Sequence, residues 1–293
     1  MQNIKGIQDQ QEDVLAIAVR KPALVTRFAN VLGGVDKTNQ FMASLLSAYN
    51  TNRSLQKCDV LKIIACAMTA ASLNLDINPN LGFAFIVPYK KNGESVPQFQ
   101  IGWKGIIQLA MRTRQYRTMN VTEVYADEFD SYDPFKGELK YHNVKGGDRD
   151  NDRMENIVGY AFYFELISGY SKMAYMSREK VAAHAKRHSK AYQSDLKNNS
   201  HDSLWSTDEG FDAMAKKTIT KLTLNKWGVL STQMITAFKA DQGLIDIEDI
   251  DDGGNLRKVD YIDRADGKAE ITADAEQKEA EQTEPSEDGG VSF

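Results

Sequence analysis

The sequence is poor in cysteine and in long apolar runs. Its two cysteines, Cys58 and Cys66, cannot form a disulfide framework or a zinc set. They are therefore expected to be reduced thiols of a cytosolic protein, packed as small core side chains. No apolar run reaches the roughly 20 residues that a bilayer-spanning helix needs, and the first residues lack the apolar centre of a secretory signal. We expect a cytoplasmic protein without a membrane partner.

Motifs of nucleotide-dependent and hydrolytic enzymes are also missing. The nearest approach to a phosphate-binding P-loop, residues 33–38, has Asp36 in place of the second glycine, and no Gly-x-Gly-x-x-Gly or serine-nucleophile signature is present. His184 and His188 lie four residues apart on a predicted helix, but the catalytic glutamate of zinc hydrolases is absent between them. Solvated or DNA-facing histidines are favoured, and no cofactor is expected to be required.

Carboxylates are densest at five positions in the middle of the chain. They fall in predicted strand ends and turns without the spacing of a metal-ligand set, so a solvated acidic rim is favoured over the magnesium site of a nuclease. A magnesium ion that bridges these groups to phosphate stays open as an alternative. The five residues are Glu123, Asp127, Glu128, Asp130 and Asp133.

The formal net charge of -5 averages two unlike parts of the chain. Residues 241–293 contain 17 acidic and 5 basic residues, a net charge of -12, whereas residues 1–240 contain 24 acidic and 31 basic residues, a net charge of +7. A basic body with an acidic tail is typical of a nucleic-acid-binding protein with an appended interaction segment. After Gly254 the tail has too few apolar residues to offset the entropy cost of ordering, so it is expected to be largely disordered.

Hydrophobic periodicity predicts helices, then antiparallel strands, then helices again. This order indicates the α+β class, with a small sheet of hairpins packed against a long helix. We expect a helical N-terminal region at residues 1–75 that makes subunit contacts, a DNA-binding core at 76–240 and the acidic tail at 241–293. Helices are predicted over residues 14–31 with a break at Pro22, 38–49, 59–71, 102–112, 178–188 and 208–226, and strands over 83–87, 97–101, 119–125, 138–142, 157–166 and 172–176.

Basic residues interleave with aromatic ones in two clusters. The first lies on and just after the helix predicted at 102–112, and the second spans residues 172–226, with 11 basic against 6 acidic residues. Basic side chains neutralise phosphates without regard to sequence, and aromatic side chains stack on exposed bases. Together they favour single-stranded nucleic acid, although Trp103 and Trp205 fit the core equally well. The candidate DNA-binding residues are Trp103, Lys104, Arg112, Arg114, Tyr116, Arg117, Lys172, Arg178, Phe211, Lys216, Lys217 and Lys221.

At these same clusters the sequence resembles the RecT-type phage single-strand annealing proteins, over most of residues 1–240. It departs from them at Leu204, where the family usually has proline, and at residues 227–231, where the family usually has a Leu-Pro-Leu-Ser-like stretch. The resemblance is densest in five blocks: residues 70–76 running into 82–89, residues 100–112, residues 124–125 with Asp127 and Phe129, residues 188–190, and Trp205 with Phe211 and residues 214–218.

The resemblance implies a recombinase without catalytic residues. Such a protein binds single-stranded DNA and anneals it to a complementary strand without ATP, through an annealed duplex intermediate. The resemblance also implies rings or helical filaments of the protein along DNA, and a partner 5′-to-3′ exonuclease in a bacterium that hosts a phage or prophage. A passive single-strand-binding protein and, less favoured, a magnesium-dependent nuclease stay open.

In the expected mechanism the cations hold one strand in a basic groove with its bases outward. Trp103, Tyr116 or Phe211 then stacks on the bases or wedges between them. Replacing the lysines at 216, 217 and 221 by alanine is expected to abolish annealing and leave the fold intact. The tail ends in acidic residues and Phe293, like the tips of bacterial single-strand-binding proteins. Three roles are open for the tail. It is expected to dock on a host protein such as the single-strand-binding protein, to compete with DNA for the protein's own groove, or only to solubilise the chain.

Overall fold

Helices occupy the first part of the described chain, antiparallel strands its middle, and helices again residues 178–240, followed by two short strands. The computed structural model describes residues 14–91, 93–142 and 156–241, together with the backbone of residues 243–244 and 260–261. After a helical segment at residues 14–19, the helices are α1 (Pro22–Leu32), α2 (Val35–Thr51), α3 (Val60–Ser72), α4 (Trp103–Arg112), α5 (Arg178–His188), α6 (Lys190–Asn198), α7 (Asp208–Trp227) and α8 (Thr232–Ala240).

The strands form three small sheets, all with antiparallel pairing. Strand order is β1-β2-β8-β9 in the first sheet, β3-β6-β7 in the second and β4-β5 in the third. The α+β class is therefore confirmed. The strands are β1 (Ala84–Lys91), β2 (Glu94–Ile101), β3 (Tyr116–Tyr125), β4 (Phe129–Asp133), β5 (Glu138–Tyr141), β6 (Ile157–Leu166), β7 (Ser171–Ser177), β8 (Gly243–Leu244) and β9 (Asp260–Tyr261).

Local signals in the sequence fix the ends of the N-terminal helices. Pro22 opens α1, where its missing N–H costs nothing, and Gly33 ends it in the left-handed conformation. Asp59 caps α3 by accepting a hydrogen bond from the Lys62 N–H at 3.0 Å. The predicted break at Pro22 is confirmed, because two helical segments meet there.

Both cysteines lie in the core, as the sequence predicted. Cys66 in α3 has no exposed surface, and Cys58 is also buried. Burial disfavours the charged thiolate, and it raises the pKa of Cys58 to about 11 and that of Cys66 to about 12. Neither thiol is therefore a reactive nucleophile at neutral pH.

Helix α7 packs across the second sheet and forms the centre of the body. Its neighbours include α4, β3, β6 and β7. Tyr160, Phe162 and Phe164 of β6 are fully buried, and on the helix side Ala215 and Ile219 have almost no exposed surface. The large rings of β6 thus meet small and β-branched residues of α7, which lets a long helix approach the strand closely.

Two glycines let α4 approach the start of β1. A Cβ atom placed on Gly102 would lie 2.1 Å from the carbonyl oxygen of Gly82, and one on Gly105 would lie 2.1 Å from that of Phe83. Both contacts are with backbone, which cannot rotate away. The Gly-Trp-Lys-Gly segment therefore sets the position of Trp103 and Lys104 at the beginning of α4.

Some elements were missed by the sequence patterns or given wrong limits. Strand β4 and helices α6 and α8 were not predicted. Asp241, assigned to the tail, lies in the core with 3% of its surface exposed. The backbone at 243–244 pairs with β2, and the backbone at 260–261 pairs with β8. Residues 245–254 lie outside the described residues, and so do residues 255–259 and 262–293, for which disorder was predicted.

The close approach of α4 generates a stability prediction. Gly105→Ala gains about 1 kcal/mol of helix propensity, but the new methyl group must push α4 away from the Phe83 carbonyl. Overpacking of this kind typically costs about 1–3 kcal/mol. We therefore expect a net loss in the free energy of unfolding, measured by urea denaturation. Gln108→Ala, at an exposed position of the same helix, is the control and should change stability by less than about 0.5 kcal/mol. A Gly105→Ala protein more stable than wild type would contradict the prediction.

Candidate nucleic-acid interface

Helix α7 carries three candidate lysines, which form ion pairs with two separate sets of carboxylates. Lys216 faces carboxylates of β3 and of α7 itself, whereas Lys217 and Lys221 share the carboxylate of Asp241. The predicted spacing of Lys217 and Lys221 on one helix face is confirmed by this shared partner. All three ammonium groups are paired within the protein, so α7 does not present a row of uncompensated cations to solvent.

The carboxylate of Asp241 is the buried counterion of two lysines. Its Oδ1 lies 2.8 Å from Nζ of Lys217, and its Oδ2 lies 2.6 Å from Nζ of Lys221. Oδ1 also accepts a hydrogen bond from the backbone N–H of Ile101 in β2 at 3.1 Å. Burial opposes ionisation of Asp241, but the two ammonium groups outweigh it and hold the pKa of the carboxyl below its usual value.

This pairing corrects the groove expected on α7. Lys217 has only 6% of its surface exposed, so it does not reach a phosphate in this conformation. Lys221 keeps 28% of its side chain exposed. Removing Lys217 and Lys221 would leave Asp241 as an uncompensated buried charge. The pairing therefore argues against the expectation that replacing these lysines leaves the fold intact.

Lys216 belongs to a half-buried cluster with two carboxylates. Its Nζ forms ion pairs with Glu123 of β3 and, at 2.9 Å, with Asp212 one turn earlier in α7. Burial opposes the charge on Lys216, but the two carboxylates outweigh it and raise its pKa. Burial also opposes ionisation of Glu123, yet the hydrogen bond and charge of Lys216 lower its pKa. At Asp212 burial dominates and raises the pKa. Glu123 is therefore a structural counterion, which corrects its assignment to a solvated acidic rim.

Trp103 joins this cluster to the surface. Its half-buried ring lies 5.8 Å from Nζ of Lys216 and 5.7 Å from Nζ of Lys104, within cation–π range. Lys104 itself is exposed. The structure thus brings three candidate residues together at the beginning of α4: an aromatic ring, an inner lysine and an outer lysine.

Two candidate aromatic residues are core residues. Tyr116 is 4% exposed, its hydroxyl donates a hydrogen bond to the Val229 carbonyl at 2.9 Å, and its ring packs edge-on against Phe164. Phe211 is 6% exposed and packs edge-on against Trp205 at 5.6 Å. A base cannot stack on a ring whose faces are occupied by protein, so the stacking expected of Tyr116 and Phe211 is corrected to core packing.

The candidate arginines have different structural environments. Arg112 donates hydrogen bonds to the carbonyls of Leu73 and Asn74 just after α3, at 2.7 and 2.8 Å, and burial lowers its pKa. Arg117 pairs with Glu165 at 2.7 Å but leaves 60% of its side chain exposed. Arg114 is exposed, in a left-handed conformation with φ 57°. Arg114 and Arg117 therefore present charge at the exit of α4, while Arg112 mainly anchors α3.

Lys172 and Arg178 each lie against an aromatic ring. Nζ of Lys172 is 4.8 Å from the ring centroid of Trp227. The guanidinium of Arg178 is 4.6 Å from the ring of Phe211 and 3.9 Å from Asp208. Arg178 also lines a cleft of about 640 Å³ between α5, α6 and the start of α7. These two residues remain candidates for phosphate contact.

Sequence reasoning missed several exposed groups. Helices α5 and α6 present basic residues to solvent that belong to the second basic cluster but were not among the candidate DNA-binding residues. Trp227 was considered only as a departure from the family pattern. A proline–glycine turn around an aromatic residue marks Phe135, but that signal was not used. The missed groups are Lys180, Lys186, Arg187, Lys190, Phe135, Lys226 and Trp227.

The rings of His184 and His188 are in contact, with centroids 4.4 Å apart and planes tilted by 38°. Within residues 14–91, 93–142 and 156–241, no group of three or more His, Cys, Asp or Glu side chains is arranged to hold a metal ion. Over the same part of the chain, no helix is both long and apolar enough to cross a membrane.

Comparison with known proteins gives two matches. A family model described as the RecT family matches residues 39–253, a span that contains every candidate DNA-binding residue. An uncharacterized protein, YqaK of Bacillus subtilis (strain 168), is 36% identical over 282 residues, which cover 94% of this chain and 87% of that protein. Both matches extend past Asp241, in agreement with its place in the folded body.

The buried pairing of Asp241 generates the second prediction. Asp241→Asn removes the counterion of the buried Lys217 and should lower the free energy of unfolding by about 3–5 kcal/mol, measured by urea denaturation. Asp202→Asn removes an exposed carboxylate and serves as the matched control, with an expected change below about 0.5 kcal/mol. Equal stability of Asp241→Asn and wild type would show that the ion pairs contribute little to the fold.

The histidine pair generates a pH prediction. Burial, followed by the charges of His188, Arg187 and Lys221, lowers the pKa of His184 to about 4. The unfolded chain binds a proton at this histidine from about pH 6.5 downwards, so stability should fall as pH drops from about 6.5 to 4. His184→Gln should flatten that part of the stability profile, whereas His142→Gln, at an exposed position, should not. A wild-type profile without a slope in this window would contradict the prediction.

Proposed function

The chain belongs to the RecT family, and from this premise we propose that it binds single-stranded DNA and anneals it to a complementary strand without ATP. Proteins of this family act in DNA recombination by single-strand annealing rather than as catalytic enzymes. The observation that supports the proposal most directly is the arrangement around α4. Trp103 and Lys104 lie at its beginning and Arg114 and Arg117 at its exit, all of them at least partly exposed.

A strand that follows α4 meets positive charge at both of its ends. The ten residues of the helix span about 15 Å at 1.5 Å per residue. Lys104 then neutralises phosphate at one end and Arg114 and Arg117 at the other, in a way that does not depend on base sequence. Trp103 offers a partly exposed aromatic ring beside this path. The inner lysines of α7 hold this surface in place from behind.

Annealing by this route needs no nucleotide cofactor, because pairing of complementary strands is itself favourable. Each base-pair step contributes about 1.4 kcal/mol of stacking free energy. The obstacle is the repulsion between two phosphate backbones, and bound cations reduce it. The role of the protein is then to bring one strand to another with its charge compensated and its bases accessible.

Self-association completes the proposal. The N-terminal helices carry apolar side chains with large exposed fractions, which favours contacts between copies along DNA. A partner exonuclease supplies the single strand, and the acidic tail meets a host protein such as the single-strand-binding protein or competes with DNA. The exposed apolar residues are Val14 at 51%, Ile17 at 62%, Val31 at 42%, Val35 at 58% and Leu61 at 57%.

An annealing assay tests the proposal. Two complementary labelled oligonucleotides, mixed with the protein in EDTA and without nucleotide, should pair faster than the oligonucleotides alone, as followed by energy transfer. Tight binding with slowed pairing would indicate a passive single-strand-binding protein. Loss of full-length DNA on addition of magnesium would indicate a nuclease.

Variants of the α4 surface extend the test. Lys104→Ala and Arg114→Ala should each weaken binding of single-stranded DNA and reduce the slope of log affinity against log salt by about 0.7, the value for one phosphate of a single strand. Lys197→Ala removes an exposed charge on α6 and is the matched control. Unchanged slopes for both α4 variants would show that the strand follows another path.

A further inference from the structure

Phe135 lies at the tip of the β4–β5 hairpin and is 97% exposed. No other large apolar side chain of the described residues has so much of its surface in water. An aromatic ring presents some 150–250 Å² of surface, most of it apolar, so its full exposure is unfavourable for the isolated protein. The ring contributes nothing to the core, which points to a partner that covers it.

The turn that carries Phe135 is held in a defined conformation by hydrogen bonds. The side-chain oxygen Oδ1 of Asp133 accepts hydrogen bonds from the N–H groups of Phe135 at 2.8 Å and of Lys136 at 3.2 Å. The N–H of Gly137 donates to the carbonyl of Asp133 at 2.7 Å, and Gly137 has φ 69°, where a side chain would be strained. The backbone therefore holds Phe135 outward at a fixed place.

Aromatic contacts fix the hairpin on the second sheet. Phe129 of β4 stacks on Tyr175 of β7, with ring centroids 5.0 Å apart and planes 18° apart. The ring of Tyr132 also packs against Tyr175, at a centroid distance of 5.5 Å. A rigid hairpin loses little conformational entropy when its tip binds, which favours a binding role.

Cations and a second aromatic ring continue from the tip. Lys136 is adjacent to Phe135 and exposed. Nζ of Lys172 lies against Gly137, because a Cβ there would be 2.8 Å from it. The same Nζ is 4.8 Å from the ring of Trp227, whose exposed fraction is 36%. We call Phe135, Lys136, Lys172 and Trp227, together with Lys226 at 4.6 Å from the Trp227 ring, the hairpin strip.

Alternating rings and ammonium groups match the chemistry of a single strand. Bases stack on aromatic faces irrespective of sequence, while lysines neutralise the phosphates between them. The carboxylate of Asp133, two residues before Phe135, accepts hydrogen bonds from the amides of the turn. A polar or charged protein surface would match the lysines but leave Phe135 exposed, and a purely apolar one would leave the lysines unpaired.

We propose that the hairpin strip binds single-stranded DNA, with Phe135 stacking on a base and Lys136 and Lys172 contacting the flanking phosphates. This inference rests on the proposed function and names base contacts that the buried rings of Tyr116 and Phe211 do not provide. Trp227 extends the strip toward the end of α7. The strand thereby touches the protein at two places, along α4 and at the hairpin tip.

The test compares two oligomers of equal length by fluorescence anisotropy: oligothymidylate and a matched abasic deoxyribose–phosphate chain. Phe135→Ala should weaken binding to oligothymidylate about 5- to 150-fold, the range for loss of one stacked base, and leave binding to the abasic chain unchanged. Phe135→Trp should retain affinity, whereas Phe135→Leu should behave like Phe135→Ala. Ile235→Ala removes an exposed apolar side chain of α8 and should have no effect.

The salt dependence of DNA affinity distinguishes base stacking by Phe135 from phosphate contacts by the lysines. Phe135→Ala should shift the affinity without changing its slope against salt, and Lys172→Ala should reduce the slope by about 0.7.

If wild type binds oligothymidylate and Phe135→Ala binds it equally well, the inference fails while the proposed function stands. An equal loss on the abasic chain would also overturn stacking. A change in sedimentation mass without DNA, at unaltered DNA affinity, would overturn it by assigning Phe135 to an interface between copies. If wild type binds neither oligomer, the proposed function itself fails.

Discussion

The architecture of the body depends on the buried carboxylate of Asp241. One side chain holds three parts of the chain together: the lysines of α7, the end of β2 through the Ile101 N–H, and the segment that leaves α8. Such a group is costly to bury unless its partners are complete, and here both oxygens are paired. The result is that α7, β2 and α8 take one relative position, and the surface that α4 presents beside them is fixed as well.

The basic side chains of this protein therefore fall into two groups that differ in burial. The inner ones, such as Lys216 and Lys217, hold elements together and are compensated by carboxylates. The outer ones, such as Lys104 and Arg114, are exposed and remain available to phosphate. A strand that binds the outer set lies against a surface kept rigid by the inner set. This division explains how a body with a modest excess of basic residues keeps cations at its surface and still builds a core.

Local patterns predicted the fold well, because helix ends and hairpin turns are encoded by adjacent residues. The α5 helix, for example, was predicted over residues 178–188, and Ser177 caps it by accepting a hydrogen bond from the Lys180 N–H at 3.2 Å. Whether a given side chain is buried or exposed was harder to predict. Lys217 and Lys221 were predicted to be surface residues, because their counterion Asp241 lies 20 or more residues away in a stretch whose composition resembles a tail. Tyr116 read as a stacking residue, because arginines flank it, but the chain turns it inward against Phe164. Neither fact is visible without tertiary contacts.

Asp241 also constrains the order in which the protein is made and folded. Chains emerge from the ribosome with their N-terminal end first, and domains fold as units during synthesis. The α4–α7 packing is specified by residues up to 227, yet the two lysines of α7 stay without their counterion until residue 241 has left the ribosome. A nascent chain that stops short of this position contains α7 and its two lysines but not the carboxylate that pairs with them. Completion of the fold is thus tied to translation of the residue that begins the acidic segment.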